Sequence, residues 1–188
     1  FRFVQTSDQS IAYCPKCGSA LRVKQIAAST AQQNLIMGNA PTTLELLLDN
    51  IRSAFNVGSI LRSADGANVQ HVHICGITPT PDHPWVAKTA LGAEAAIPWT
   101  QYWNSLEAAQ KLKQKGYAVW GLECTSKAAA LPDALRNLPS APLLLIAGNE
   151  LAGVDTDLIA QCDQVVHIPM LGVKESLNVA VAVSIAIY

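Results

Sequence analysis

From Thr42 onward, short and nearly unbroken apolar runs alternate with longer stretches whose apolar residues recur at helical spacing. The runs are TLELLLDN, VQHVHICG, YAVWGLEC, APLLLIAGNE and QVVHIPM. Their brevity and richness in Val, Ile and Leu predict strands buried on both faces. Between them, NVGSILRSADGAN predicts a helix opened by Asn56 and closed near Gly66. PWVAKTALGAEAAIPW predicts a short helix leading to a strand that starts near Ile97. NSLEAAQKLKQKG puts Leu106, Ala109 and Leu112 at helical spacing, with an Asn cap at 104 and a Gly stop at 116. Strands alternating with helices predict an α/β domain, a parallel sheet flanked by helices.

The two ends depart from this rhythm. Residues 1–40 hold a turn-rich knuckle, YCPKCGSAL, and an aperiodic stretch, so they are expected to form an N-terminal extension to a domain over 41–188. The last residues, IPMLGVKESLNVAVAVSIAIY, predict a strand, a polar loop and an apolar helix capped in its first turn. Ligands of parallel sheets bind at the carboxyl ends of the strands. Three such ends are polar here: DNIRSAFNVG, GNELAGVD and LGVKESLN. Gly58 in the first lets a helix start close to a partner or ligand.

Composition narrows the class. Half of the 188 residues are hydrophobic and 14% are charged, which predicts a folded chain with little disorder. The net charge of -1 carries no basic excess, though a neutral total can contain a local basic patch. No run reaches the roughly 18 apolar residues of a membrane span, so a soluble protein without membrane contact is expected. The first twenty residues lack an apolar signal segment, and five cysteines without a disulfide framework suggest reduced thiols and a cytoplasmic location. Starting at Phe1 and ending in mid-pattern at Tyr188, the chain reads as a piece of something longer.

Other candidate chemistry has bland explanations. Cys14 and Cys17 form half of a zinc-ribbon ligand set; a structural zinc needs four ligands, so a metal-free knuckle is expected, with zinc completed from elsewhere as the alternative. Cys75, Cys124 and Cys162 are expected as buried thiols. His71 and His73 share one face of a strand, a spacing that suits a metal pair but lacks a third ligand, and a structural role is favoured. His167 is expected as a strand residue. Trp85, Trp99, Trp103 and Trp120 have the chemistry to stack on bases, but their scatter favours the core or a dimer interface. Neither G-x-G-x-x-G nor Walker-A spacing is present, which weakens dinucleotide and P-loop readings.

Taken together, Asn-x-Gly-x-x-x-Arg after the first strand, Gly-Asn-Glu-x-x-Gly after a late one, and Ile-Pro-Met followed by Ser-Leu-Asn-Val resemble the signature motifs of the SpoU/TrmH family of RNA 2'-O-ribose methyltransferases, of the SPOUT class. KTALGAEAAIPW also looks familial, and the resemblance spans roughly Thr42 to Tyr188. It implies a C-terminal deep trefoil knot, which composition alone never suggests. It further implies S-adenosyl-L-methionine bound in the knot, a homodimer with sites near its interface, and tRNA or rRNA as substrate.

Carried over by position, the backbone around Gly148, Ile168 and Leu177 is expected to hold the cofactor, with the loop from Glu123 to Thr125 nearby. Arg62, Asn56, Glu150, Ser176 and Asn178 are the expected catalytic residues. A guanidinium is effectively always protonated, so Arg62 is expected to clamp phosphate and stabilise developing alkoxide charge, with the proton leaving through phosphate or water. Asn56 and Glu150 are expected to hold Arg62 or the ribose, and Ser176 and Asn178 to orient the terminal loop. Ala180 stands where relatives commonly carry a small polar residue, which predicts altered packing and not a lost catalyst. Lys174 and Glu175 are expected as a solvated pair. The competing readings are a knotted RNA-binding protein without turnover and a small-molecule nucleotide enzyme of ordinary doubly wound topology.

Overall fold

The computed structural model describes residues 11–13, 20–22 and 43–188. The chain divides into two compact units, Phe1–Ala40 and Pro41–Tyr188. In the first, β1 (Ile11–Tyr13) pairs antiparallel with β2 (Ala20–Arg22). Cys14 and Cys17 lie outside the described residues, as does the aperiodic stretch after them.

The second unit is built on a sheet of seven strands in the order β5-β4-β3-β8-β6-β9-β7. The strands are β3 (Leu44–Asp49), β4 (His71–Cys75), β5 (Trp99–Tyr102), β6 (Ala118–Leu122), β7 (Ala129–Ala130), β8 (Leu143–Ala147) and β9 (Gln164–His167). Every pairing is parallel. The helices are α1 (Ala54–Gly66), α2 (Pro84–Ala90), α3 (Ala93–Ala96), α4 (Ser105–Gln114), α5 (Leu131–Ala134), α6 (Thr156–Gln161) and α7 (Val179–Ile187).

Because successive strand residues face opposite ways, the apolar runs feed two cores. Leu46, Leu48, Val72, Ile74 and Leu145 pack beneath α1, α2 and α7. Leu47, Val119, Leu144 and Ile146 pack beneath α4 and α6. This double cover explains why the strands lack a polar alternation: β8, at the sheet's centre, is buried along its whole length.

Helix starts differ from the expected ones in a useful way. Ser53, not Asn56, caps α1: its Oγ accepts the Asn56 amide at 3.3 Å. Asn56 therefore sits inside the first turn with its side chain released from capping. At α4 the cap is Asn104 as expected, accepting the Glu107 amide at 3.1 Å. The strand expected near Ile97 begins at Trp99, because α3 intervenes after Gly92 turns the chain at φ 105°.

Trp120 is buried in the core, whereas Trp85, Trp99 and Trp103 are exposed, which overturns the core half of the expectation for those three. Trp99 lies on β5, the uncovered edge of the sheet, and Trp103 follows in the turn beyond it. Cys124 is likewise exposed, having passed the end of β6, whereas Cys75 is buried and its thiol is pushed up to about 12 by burial. Cys162 is half-buried, and burial raises its thiol to about 11.

His71 and His73 sit side by side at the amino ends of the strands, ring centroids 4.7 Å apart. His71 meets the Thr100 hydroxyl at 2.9 Å, and His73 meets Glu45 at 2.7 Å. Tyr117 donates to the other Glu45 oxygen at 2.6 Å. Burial pulls the His73 pKa down, which suits a neutral core imidazole. Among the described residues no group of three or more His, Cys, Asp or Glu is placed to hold a metal ion.

The α1–α2 contact depends on Gly58. A Cβ there would strike the Thr89 hydroxyl and the Val86 carbonyl. Gly58→Ala is expected to destabilise the fold by about 1–3 kcal/mol, the usual cost of overpacking. Urea unfolding checks this as a lowered midpoint with an unchanged slope.

Candidate active site

The polar strand ends meet at Glu150, in the loop after β8. One carboxylate oxygen accepts the Arg52 amide at 2.8 Å. The other accepts the Ser53 amide at 3.0 Å and the Asn56 side-chain amide at 2.9 Å. The Asn56 carbonyl oxygen in turn accepts Asn178 Nδ2 at 3.1 Å. Asn178 also caps α7, its Oδ1 accepting the amides of Ala180 at 2.9 Å and Val181 at 3.4 Å. One chain of hydrogen bonds thus joins the loops after β3, β8 and β9.

Partial burial alone would raise the Glu150 pKa. The hydrogen bonds from the Arg52 amide, the Asn56 side chain, its own backbone and the Ser53 amide outweigh that and hold it below its ordinary value. The carboxylate is therefore an ionised anchor.

The loop carrying Glu150 is shaped by its neighbours. Asn149 and Gly153 exchange backbone hydrogen bonds of 2.9 Å each way. Asn149 Oδ1 accepts the amides of Leu151 and Ala152, at 2.9 and 3.0 Å, while Nδ2 donates to the Asn50 carbonyl at 2.7 Å. Gly148 has no room for a Cβ, which would overlap the Gly153 and Val154 backbone. Gly153 adopts φ +74°, and a side chain there would also strike Glu123. Glu123 accepts the Val154 amide at 2.8 Å, latching this loop to the end of β6.

Around these loops lies a cavity of about 420 Å³ at the carboxyl ends of β6, β8 and β9. It is lined by the expected cofactor positions Gly148, Ile168 and Leu177, and by Glu150, Ser176 and Asn178. Glu123 and Cys124 line its rim, as does Glu175. Lys174 and Glu175 are both exposed and make no ion pair with each other. Asn56 stands behind the wall and faces a second groove, between α1 and α7, that also includes Asn178, Val181 and Tyr188. Arg62 is the outlier: it is exposed on α1, lines neither space, and enters no ion pair among the described residues.

Two residues were not singled out by sequence. Asn149 and Asn50 hold the loops through side-chain amides, and their signal was the Asn following an apolar strand in IAGN and LLLDN. His167 ends β9 and lines the cavity with a buried Nδ1 that has no partner. Ala180 is buried at the start of α7, where it packs in the core beneath α1.

A model described as the SpoU rRNA Methylase family matches residues 43–188. The chain belongs to that family. It is 33% identical over 143 residues to a putative TrmH family tRNA/rRNA methyltransferase of Staphylococcus saprophyticus, covering 76% of this chain and 56% of that relative. It is 30% identical over 145 residues to the tRNA (guanosine(18)-2'-O)-methyltransferase of Thermus thermophilus, covering 77% of this chain and 72% of that one. Among solved structures it resembles the SpoU methyltransferase AviRb of Streptomyces viridochromogenes in complex with AdoMet, with a TM-score of 0.69 and 25% identity over 78% of this chain and 58% of that one. The SpoU chain thus spans little more than half the length of the first of these relatives.

The depressed Glu150 pKa generates a test. A carboxylate stabilised in the folded state contributes stability above its ordinary value of 4.5, and loses it as pH falls through the lower folded value. Glu150→Gln is expected to be less stable than the parent at neutral pH by about 1–3 kcal/mol. The gap should close below about pH 4. Unfolding midpoints across that range check it.

Proposed function

We propose that this SpoU chain catalyses S-adenosylmethionine-dependent methylation of a ribose 2'-hydroxyl in tRNA or rRNA. The observation that carries the reading is the Glu150–Asn56–Asn178 chain beside a cavity at the strand ends. The cavity suits the cofactor: its volume falls in the range of small-molecule sites, and its wall mixes apolar Leu122, Ile168 and Leu177 with loop backbone and carboxylates. The backbone around Gly148, Ile168 and Leu177 would hold it, and the Gly148 position admits close approach because the loop there has no room for a side chain. Bound S-adenosylmethionine supplies an electrophilic methyl group.

The chain's own residues supply order and charge. Asn178 fixes the start of the last helix, Ser176 lines the cavity beside it where it can meet cofactor or RNA, Glu150 anchors the loop that starts α1, and Asn56 couples Glu150 to Asn178. Arg62 serves as a clamp for substrate phosphate and for negative charge on the 2'-oxygen. Its position away from the cavity fits a site assembled between two copies. The homodimer we propose would cover the outward face of α7, where Val181, Ile185 and Tyr188 are exposed and no charged residue occurs. We further propose that residues 1–40 form an N-terminal extension with a C-x-x-C knuckle and that the chain after β8 threads as a deep trefoil knot. Support for the knot lies in the late strand β8 running between β3 and β6, and in α7 returning to pack on α1. No helix among the described residues is long and apolar enough to cross a membrane. A cytoplasmic location follows from the proposed RNA substrate. A knotted RNA binder without turnover is the second reading, and the solitary position of Arg62 is the observation on its side.

The test is methyl transfer from radiolabelled S-adenosylmethionine to total bacterial RNA, with tRNA and rRNA separated afterwards. Label that survives alkali as a dinucleotide, and falls about a hundredfold or more in Arg62→Ala at unchanged cofactor affinity, is the expected result. Cofactor binding without transfer to any RNA favours the second reading. Near-normal turnover by Arg62→Ala removes the proposed role of that residue.

A further inference from the structure

Beside the hydrogen-bond chain lies a surface that the proposed reaction does not use. Phe55, next to Asn56, is 43% exposed, and Trp85 at the start of α2 is 51% exposed. Their rings meet edge to face, centroids 5.4 Å apart and planes at 73°. The Lys88 ammonium lies 4.5 Å from the Trp85 ring centroid. Beneath the rings the Thr89 hydroxyl donates to the Phe55 carbonyl at 3.0 Å, fixing α2 to α1. Isolated exposed aromatics are ordinary, but here two rings are held in contact on packed helices with a cation on one of them.

Two arginines lie on either side of Phe55 along the chain. Arg52, whose amide binds Glu150, exposes its side chain at the same end of α1. Phe55, Ser59 and Arg62 recur at helical spacing and so form one stripe of α1, with Phe55 and Arg62 about 10 Å apart along its axis. Arg52, Arg62 and Lys88 form no ion pair among the described residues. Among the acids close by, Glu150 is held by amides and Asp82 accepts the Thr80 hydroxyl, while the exposed Asp65 sits three residues beyond Arg62 on α1. Two aromatic faces thus lie near three cations that have no ion-pair partner among the described residues.

We infer that Phe55, Trp85 and Lys88 form a stacking platform for an unpaired base of the RNA, next to the nucleotide that is methylated, with Arg52 and Arg62 holding the flanking phosphates. This rests on the methyltransferase reading and adds a substrate-contacting surface to it. Aromatic rings interleaved with unpaired cations suit single-stranded RNA, whose bases are splayed out and stack while its phosphates pair with Arg and Lys. A protein partner is the competing occupant, and the paired rings, the cations without ion-pair partners and the adjacency to Asn56 favour RNA.

The experiment compares binding of a fluorescein-labelled uridine decamer with an abasic decamer of the same length, at one fixed salt concentration. The proteins are wild type, Trp85→Ala, Trp85→Phe and Lys88→Met, each confirmed as folded by its melting curve. Wild type should prefer the uridine decamer, Trp85→Ala should lose roughly fivefold or more of that affinity, and Trp85→Phe should regain most of it. Lys88→Met should weaken both decamers alike. Equal loss on both decamers in Trp85→Ala, or no loss, overturns the platform. Binding of neither decamer by wild type also overturns it and favours a protein partner. Calorimetric titration of the same samples with S-adenosylmethionine separates the readings: retained cofactor binding without base-dependent RNA binding sinks the platform alone, and absent cofactor binding sinks the methyltransferase reading.

Discussion

Glu150 is a carboxylate with a structural task. It gathers two backbone amides and one side-chain amide, and through Asn56 it reaches Asn178 at the start of the last helix. A half-buried carboxylate is costly unless donors surround it. Here the donors come from a segment distant in sequence, so meeting its requirement closes the site. The loops after β3, β8 and β9 are held together by side chains that each satisfy more than one partner.

Sheet order makes this possible. Because β8 runs between β3 and β6, its carboxyl end emerges beside the loop that opens α1 and beside the end of β6. Glu123 and Glu150 then hold the same loop from opposite sides, one through the Val154 amide and the other through Arg52 and Ser53. Two glycines relieve the crowding between them, Gly148 against the loop's own backbone and Gly153 at positive φ. The amino halves of the strands carry a different polar network, in which Glu45 meets both His73 and Tyr117 while the buried His73 Nδ1 has no partner. That network is apart from the cavity, and the one at the carboxyl ends lines it.

Much of this was legible in the sequence, and the residues say why. Continuous apolar runs such as LLLIA can be satisfied only by cover on both faces, so strands and parallel order follow from composition. The residues at the strand ends stood out because polar side chains followed apolar runs. The partnerships were less accessible. Asn56 reads as a cap from its local sequence, and only Ser53's preceding claim on that role frees its side chain for Glu150 and Asn178. Trp85 reads as core or dimer interface from sequence, and in the fold it is half exposed at the start of α2, edge to face with Phe55. The α/β class and the site's location were readable, whereas long-range pairings depend on strand order, which no local pattern encodes. The family resemblance supplied the candidate residues, and the coordinates supplied the coupling among most of them while leaving Arg62 apart.

The central claim is that Asn56 and Asn178 act as one unit in shaping the cavity, although only Asn178 lines it. A double-mutant cycle on S-adenosylmethionine affinity, measured by calorimetry with Asn56→Ala, Asn178→Ala and the double variant, tests this directly. The account predicts that each single variant weakens binding and that the double variant is little worse than the weaker single one, a coupling of at least about 0.5 kcal/mol. Wild-type affinity in Asn56→Ala, or two losses that simply add, would contradict it.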